Sequence, residues 1–391
     1  MVHNNKKKRI LFIMGKVHFA SSQGVRYHNL IKYMKNDFEV VVLSLYTEFF
    51  SQHDNIIKVL NGNRNVLKKL LKWVYKRSIE KYIFPDKFIF KIKQYEVLIK
   101  KALETGSYDY VIIGMTPFSL YKTASFIRSM DSKIKIVCDL SDPFTNNGII
   151  KYWFPSWGKI VKAYEEKHLA SVNAIVVLNP FIKSLYERSY ETFSANDIYV
   201  IEQGLSSEFL KYSNLNKDFN DDTRKIKMLY AGGLYYKLRE PFELYKAIEN
   251  IQNNEISLDI YGNISTSLLP KNSRKIFYLG VLTQSQLIEK YMQSQLLIFI
   301  DNAFGYQVPG KLLEMISLKK PILFIYSNNN SPSLHYIKKS SNVFLVKNEA
   351  GVIQKEIIKI LNTKSNSIEG TDVVEFTWNK LAKKYKVILE Q

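Results

Sequence analysis

One cysteine in 391 residues sets the first limit on this chain. Cys138 has no partner within the chain, which excludes a disulfide-framed secreted scaffold. It lies in Lys135-Ile136-Val137-Cys138-Asp139-Leu140, an apolar strand pattern, and reads as a core thiol. Also missing is any run of the roughly 18 apolar residues that a membrane-spanning helix needs. The basic start, Met1 to Arg9, is followed by Ile10-Leu11-Phe12-Ile13-Met14-Gly15. That run is too short for the core of a signal peptide and lacks a small-residue cleavage site behind it. It reads as the first buried strand, and the chain as cytoplasmic. No Ser–His–Asp order, no paired metal ligands and no complete Gly-x-Gly-x-x-Gly fingerprint occurs. The sequence therefore implies neither a metal nor a resident cofactor.

Acidic residues are scarce too: 36 Asp and Glu stand against 56 Lys and Arg, a formal net charge of +20. Such an excess points to acidic partners: nucleic acid, an anionic membrane or a phosphorylated substrate. The charge is not spread evenly. Residues 58–101 hold 13 Lys or Arg against Glu80, Asp86 and Glu96, so this one segment carries half the excess. Within it Val66, Leu67, Leu70, Leu71 and Val74 recur at helical spacing, with Lys68, Lys69, Lys72, Lys76 and Arg77 between and beyond them and Trp73 and Tyr75 alongside. This is the pattern of a basic amphipathic helix lying in a membrane interface, drawn to anionic lipid at about 1 kcal/mol per basic side chain. The plainer alternative is a helix packed on its own domain with a lysine-rich solvated face. No helix-turn-helix, zinc finger or stacking motif accompanies the charge, which argues against nucleic acid.

A length of 391 residues suggests two domains. Continuous apolar strands alternate with helical stretches, the signature of parallel sheets covered on both faces. Strands are expected at Ile10–Met14, Glu39–Leu45, Asp109–Gly114, Lys135–Leu140, Ala174–Leu178 and Ile198–Gly204. After a polar linker, Tyr212 to Lys225, the pattern restarts at Lys227–Gly233. It continues through Ser257–Tyr261, Ile276–Leu279, Leu296–Ile300, Pro321–Tyr326 and Asn342–Lys347. The fold class read from this is α/β, two Rossmann-like domains facing each other across a cleft. The expected division is 1–210, with an insertion at about 58–101, then 211–375, and a C-terminal helical stretch 376–391 that packs back on the first domain.

The most specific motif is Gln307-Val308-Pro309-Gly310-Lys311-Leu312-Leu313-Glu314. It follows an apolar strand and reads as a helix opening at Pro309, whose fixed φ suits a first turn. A helix start offers free N–H groups to an anion such as a diphosphate. Lys311 adds charge, and Glu314 can accept hydrogen bonds from ribose hydroxyls. Ala231-Gly232-Gly233 ends a strand where a ligand can approach the backbone closely, and Lys237 or Arg239 can reach a diphosphate. Asp142, beyond the strand ending at Leu140, is placed to bind a sugar hydroxyl or act as a base. His18, Gly24 and Arg26 follow the first strand and form the candidate acceptor side.

Taken together, these residues resemble the GT-B glycosyltransferases of the family 4 type, the retaining enzymes of bacterial surface-polysaccharide and capsule assembly. The resemblance spans most of the chain: Arg26, Asp139–Phe144, Tyr164-Glu165-Glu166-Lys167-His168-Leu169, Ile201-Glu202-Gln203-Gly204-Leu205, Tyr230–Leu234 and the Gln307–Pro321 block. It implies a carboxylate on the nucleotide ribose, matched by Glu314, and an Arg and a Lys on the diphosphate. It also implies a lipid-linked or polysaccharide acceptor, metal-independent transfer, and a peripheral position on the inner face of the cell membrane. The nucleotide diphosphate sugar would be a co-substrate. The chain departs from the pattern at Tyr306, where the family often has a second Glu, at Gly233, where it has Arg, and at Ser141, where it has His. A subgroup carrying Val-Pro-Gly-Lys-Leu-x-Glu is closer. The competing class is a catalytically silent GT-B-like binding partner.

Overall fold

The computed structural model describes residues 7–15, 21–44, 56–58, 83–147, 156–191, 193–213, 226–338, 340–362 and 373–391. His18 and the basic positions Lys68, Lys69, Lys72, Trp73, Lys76 and Arg77 lie outside the described residues, as does most of the expected linker. The chain divides into two compact units, Met1–Gln203 with Trp378–Gln391, and Gly204–Thr377.

Unit 1 is built on strands β1 (Arg9–Ile13), β2 (Glu39–Ser44), β3 (Ile56–Lys58), β4 (Tyr110–Gly114), β5 (Lys135–Leu140), β6 (Ala174–Val177) and β7 (Ile198–Val200). Their spatial order is β3-β2-β1-β4-β5-β6-β7, and the pairings are parallel. Helices α1 (Ser22–Met34), α2 (Ile92–Thr105), α3 (Tyr121–Met130), α4 (Trp157–Leu169) and α5 (Pro180–Ser189) connect them. Strand β4 is buried at every position, as strands covered on both faces must be. Helix α2 corrects the reading of 58–101 as a segment outside the alternation. Tyr95, Ile99 and Ala102 are buried at helical spacing, so the later part of that segment is the ordinary crossover before β4. Lysines had masked the apolar stripe.

The C-terminal helix of the chain, Trp378–Glu390, belongs to unit 1. Trp378, Leu381, Tyr385, Ile388 and Leu389 recur every three or four residues and join the core formed by Phe12, Tyr27, Leu30 and Met34. The sequence pattern places the start of this helical stretch at 376. A short 3-10 turn at Val374–Phe376 and an extended Thr377 occupy that point instead.

A buried ion pair ties these parts together. The Arg26 side chain on α1 is fully buried and meets Asp139 on β5 with Nη2–Oδ2 at 2.9 Å. Nη1 also donates to the carbonyl of Glu202 at 2.6 Å and Nη2 to that of Ile201 at 3.0 Å. The Tyr385 hydroxyl donates to the same Asp139 carboxylate. Arg26 was read as an acceptor-side residue. Its guanidinium is instead committed to joining α1, β5, the segment after β7 and the C-terminal helix. Burial disfavours the Arg26 charge, but Asp139, with Tyr385 and Tyr27, more than offsets this and holds its pKa above the ordinary value.

Unit 2 repeats the plan with β8 (Ile226–Ala231), β9 (Ile256–Tyr261), β10 (Ile276–Tyr278), β11 (Leu296–Ile300), β12 (Ile322–Tyr326) and β13 (Val343–Lys347). The order is β10-β9-β8-β11-β12-β13, again with parallel pairings. The helices are α6 (Ser207–Ser213), α7 (Phe242–Glu249), α8 (Gln284–Gln293), α9 (Lys311–Ser317), α10 (Ser333–Ile337) and α11 (Ala350–Asn362). Thr283 caps α8 in a reciprocal box with Gln286, so that helix starts at its cap. Two apolar clusters, one containing Leu258, Ile298 and Ile357 and the other Leu229, Phe299 and Leu312, form its core.

Replacing Asp139 by Asn leaves the Arg26 charge buried against a neutral amide. The expected loss is about 3–5 kcal/mol of unfolding free energy, read by urea denaturation; a loss below about 1 kcal/mol, the scale of a surface pair, contradicts a structural role for the pair.

Candidate functional site

In open parallel sheets a ligand crevice forms beyond the C-terminal strand ends, where the strand order reverses direction. In unit 2 that point lies between β8 and β11. Chain leaving β8 runs through Gly232 and Gly233 into a tight hairpin, in which Tyr235 and Arg239 exchange backbone hydrogen bonds of 3.1 and 2.8 Å. Lys237 sits exposed at its tip with φ +63°, and its N–H donates to Glu240 at 2.7 Å. The hairpin turns Arg239 back toward the strand ends. There Nη1 donates to the Gly233 carbonyl at 3.2 Å and Nη2 to the Asn302 side-chain oxygen at 2.7 Å.

Asn302, just past β11, is the hub that the sequence reading missed. It is 5% exposed. It accepts from Arg239, and its Nδ2 donates to the Gln307 carbonyl at 3.1 Å. The Ala303 N–H donates to the Leu238 carbonyl at 2.8 Å, a second tie between the two loops. The two side-chain acceptors of Arg239 there are neutral carbonyl oxygens, the Tyr235 ring lies 6.0 Å from the guanidinium, and Tyr230 and Asp301 also feel its charge. Its charge is unmatched by any ion pair among the described residues, and Nε is buried without a hydrogen bond.

The glycines have a physical reason. A Cβ on Gly262, which follows β9 with φ +146°, would lie 2.1 Å from the Gly232 carbonyl oxygen. The two strand ends therefore approach backbone to backbone. A Cβ on Gly233 would lie 2.5 Å from the Tyr235 hydroxyl and 2.7 Å from its ring.

Beyond β11, Asp301 is buried and accepts from the Ser333 hydroxyl at 2.7 Å. Burial raises its pKa, with opposition from hydrogen bonds and from Arg239. The loop then passes the half-buried Tyr306, Gln307 and Pro309 to Gly310, which holds the cap position of α9. The helix thus opens at Lys311, two residues later than read from Pro309, whose carbonyl instead accepts from the Leu312 N–H at 3.0 Å. It spans seven residues, so its end charge is small and side chains must supply most of the field.

Lys311 and Glu314 lie one turn apart on α9. Neither side chain has a hydrogen bond or ion-pair contact among the described residues. Burial lowers the Lys311 pKa and raises that of Glu314, and each is partly restored by the other's charge. Tyr291 on α8, in the same core cluster as Leu312 and Leu313, has a buried hydroxyl without a hydrogen-bond partner. Its pKa is raised by burial first and then by Glu314. The strand ends of unit 2 thus hold two unmatched cations and a carboxylate with open lone pairs. A ligand carrying both anionic oxygens and hydroxyls fits that set.

Unit 1 spends its polar groups differently. The N–H of Gly24 is used by the Ser21 hydroxyl that caps α1, at 3.1 Å. A Cβ on Gly15, after β1, would strike Pro117 at 2.0 Å. Asp142 is half-buried immediately after β5, and the Ser141–Thr145 segment around it is fixed by Glu165. That fully buried carboxylate accepts from Tyr121 at 2.5 Å, Tyr190 at 2.6 Å, Tyr186, and the Thr145 N–H at 3.0 Å. Four donors satisfy the anion without a cation. Among the described residues no three His, Cys, Asp or Glu side chains are grouped to share a metal ion, and no helix is long and apolar enough to cross a membrane.

With this geometry in view, known structures provide a comparison. No protein-family model and no curated protein sequence matches the chain. A glycosyltransferase from Rickettsia africae is 16% identical, with 98% of each chain covered and a TM-score of 0.64. The trehalose-6-phosphate protein from E. coli bound with UDP-2-fluoro glucose is 12% identical, covering 98% of this chain and 99% of its own, with a TM-score of 0.66. The UDP-GlcNAc 2-epimerase of Methanocaldococcus jannaschii, in complex with UDP-GlcNAc and UDP, is 13% identical over 98% and 99%, with a TM-score of 0.51. The chain has the GT-B glycosyltransferase fold.

The Gly262→Ala variant must push the Gly232 backbone aside, whereas a Cβ on Gly280, with φ +87°, meets nothing within 4 Å. Gly262→Ala is expected to cost about 1–3 kcal/mol more than Gly280→Ala in chemical denaturation, from forced repacking. Equal losses contradict the close approach of the two strand ends.

Proposed function

We propose that the chain is a glycosyltransferase that moves a sugar from a nucleotide diphosphate sugar to a lipid-linked or polysaccharide acceptor. The observation that carries this reading is the unmatched charge of Arg239 and Lys311 beside the strand ends of unit 2, with Glu314 open one turn along. Arg239 is presented by carbonyl oxygens that orient its fork without neutralising it, which leaves it free to pair with a diphosphate. Lys311 adds a point charge, and Glu314 accepts from the ribose hydroxyls. Gly232, Gly233, Tyr306, Gln307, Pro309 and Gly310 line the donor's approach, with Lys237 at the rim.

The chemistry follows from the charges. As the glycosidic C–O bond to the diphosphate lengthens, negative charge grows on the leaving oxygen. Cations fixed beforehand stabilise that charge more than they stabilise the ground state. Transfer with retention needs no strong protein base, since the departing phosphate can take the acceptor proton. For Asp142, just beyond β5, the sequence motif points to a role in binding a sugar or acceptor hydroxyl. Metal-independent transfer agrees with two side-chain cations serving the diphosphate. The similar structures bound to UDP-2-fluoro glucose and to UDP-GlcNAc and UDP support a nucleotide-sugar donor. Family 4 membership, a peripheral position on the inner membrane face and a role in surface-polysaccharide assembly extend this reading from the sequence motifs and from the basic segment 58–101.

Incubation with UDP-, GDP- and dTDP-sugars and a membrane lipid extract should release nucleoside diphosphate together with a glycosylated product. Arg239→Ala should lower kcat by about 100–1,000-fold. No release with any donor, together with no thermal stabilisation by UDP or GDP, contradicts the proposal. Interconversion of the donor sugars without transfer assigns the epimerase reaction of the M. jannaschii relative in fold.

Nucleotide affinity should also depend on pH through Glu314. Only the carboxylate form gives the ribose a charge-assisted hydrogen bond. Because burial raises the Glu314 pKa, affinity should begin to fall, as pH is lowered, above the ordinary carboxylate range. Glu314→Gln should flatten that dependence in calorimetric titrations with UDP; an unchanged slope removes Glu314 from the ribose.

A further inference from the structure

A second concavity of about 600 Å³ lies on the helical layer of unit 1. Its apolar floor includes Phe84, Phe126 from α3 and Tyr164 from α4. Phe84 meets Tyr164 edge to face with ring centroids 5.0 Å apart, and Tyr164 meets His168 likewise at 4.7 Å. Such contacts fix the rings against one another. Two helix faces converge above them. On α3, Lys122, Ser125 and Phe126 are spaced three and four residues apart. Tyr164, Lys167 and His168 repeat that spacing on α4.

Polar groups here are supplied in one sense. Lys122 and Lys167 have no ion pair or hydrogen bond among the described residues, although Glu96 stands on the same wall. His168 is 7% exposed and shares a 2.8 Å hydrogen bond between Nδ1 and the Ser125 hydroxyl. Its Nε2 has no partner among the described residues. Burial first, then Lys167 and Lys122, hold the His168 pKa at about 4. The imidazole is therefore neutral at physiological pH and feels both ammonium groups. An anion seated between the lysines relieves their repulsion and accepts from the Nε2–H, the one proton left once the Ser125 hydroxyl donates to Nδ1.

We propose that this groove binds one anionic phospholipid, its phosphate between Lys122 and Lys167 beside His168, and its hydrocarbon on Phe84, Phe126 and Tyr164. The rings favour hydrocarbon over a nucleobase. Phe84 and Tyr164 are engaged edge to face with each other and do not open as a parallel stacking slot. The site does not depend on the glycosyltransferase reading, because none of its residues belongs to the donor machinery of unit 2.

The test uses the full chain labelled at histidine and monomeric, short-chain dihexanoyl phosphatidic acid. The His168 resonance should shift on titration with one equivalent per chain, and its protonation midpoint should rise from about 4 toward the ordinary histidine value. Lys122→Ala with Lys167→Ala should weaken binding about thirtyfold while UDP affinity and thermal midpoint stay as in the wild type. An unmoved His168, or unchanged affinity in the double variant, overturns the proposal. Equal responses to inorganic phosphate or UDP overturn the lipid assignment, and an equal response to dihexanoyl phosphatidylcholine overturns the requirement for net negative charge.

Discussion

The reversal of strand order between β8 and β11 is the constraint on which the donor site depends. Neighbouring parallel strands there send their connections to opposite sides, so the loops that leave them diverge. Backbone groups at those ends cannot be satisfied by the sheet and must find other partners. The chain solves this with a hairpin that returns Arg239 to the Gly233 carbonyl, and with Asn302, which joins Arg239 to the Gln307 carbonyl. A structural problem and a recognition surface thus have one solution. The residues that close the strand ends also hold a guanidinium in place with its charge unspent.

The two units share a plan but use charge in opposite ways. In unit 1 the buried Arg26 has a buried carboxylate partner, Asp139, and further bonds to two carbonyls. Glu165, also buried, is satisfied by three tyrosine hydroxyls and a backbone N–H. These are closed networks, and they organise helices and the Asp142 segment. In unit 2 Arg239, Lys311 and Glu314 have few or no partners of their own. Leaving polar groups open costs stability. A binding site is where that cost has a return, because the ligand completes the network.

Much of the fold was legible because parallel strands buried on both faces leave continuous apolar runs. Lys135–Leu140 and Leu296–Ile300 match the expected strands residue for residue. Helix α2 was hidden because Lys93, Lys100 and Lys101 interrupt its buried Tyr95, Ile99 and Ala102. At the site, Glu314 and Lys311 stood out through spacing within one motif. Arg26 was misread for a general reason: an arginine after a strand looks the same whether it meets a ligand or a carboxylate 113 residues away. Asn302 was overlooked because an amide has no charge, and its importance lies in joining two loops distant in sequence. The helix start was placed at Pro309 because proline favours first turns; here the turn tightens only at Gly310.

The most direct test of the account is a crystal structure of the protein bound to UDP or GDP. The account predicts the diphosphate in hydrogen-bond contact with the Arg239 guanidinium and the Lys311 ammonium, and the ribose hydroxyls on Glu314. A nucleotide bound with Arg239 still held only by Gly233 and Asn302, and with Glu314 untouched, would contradict it.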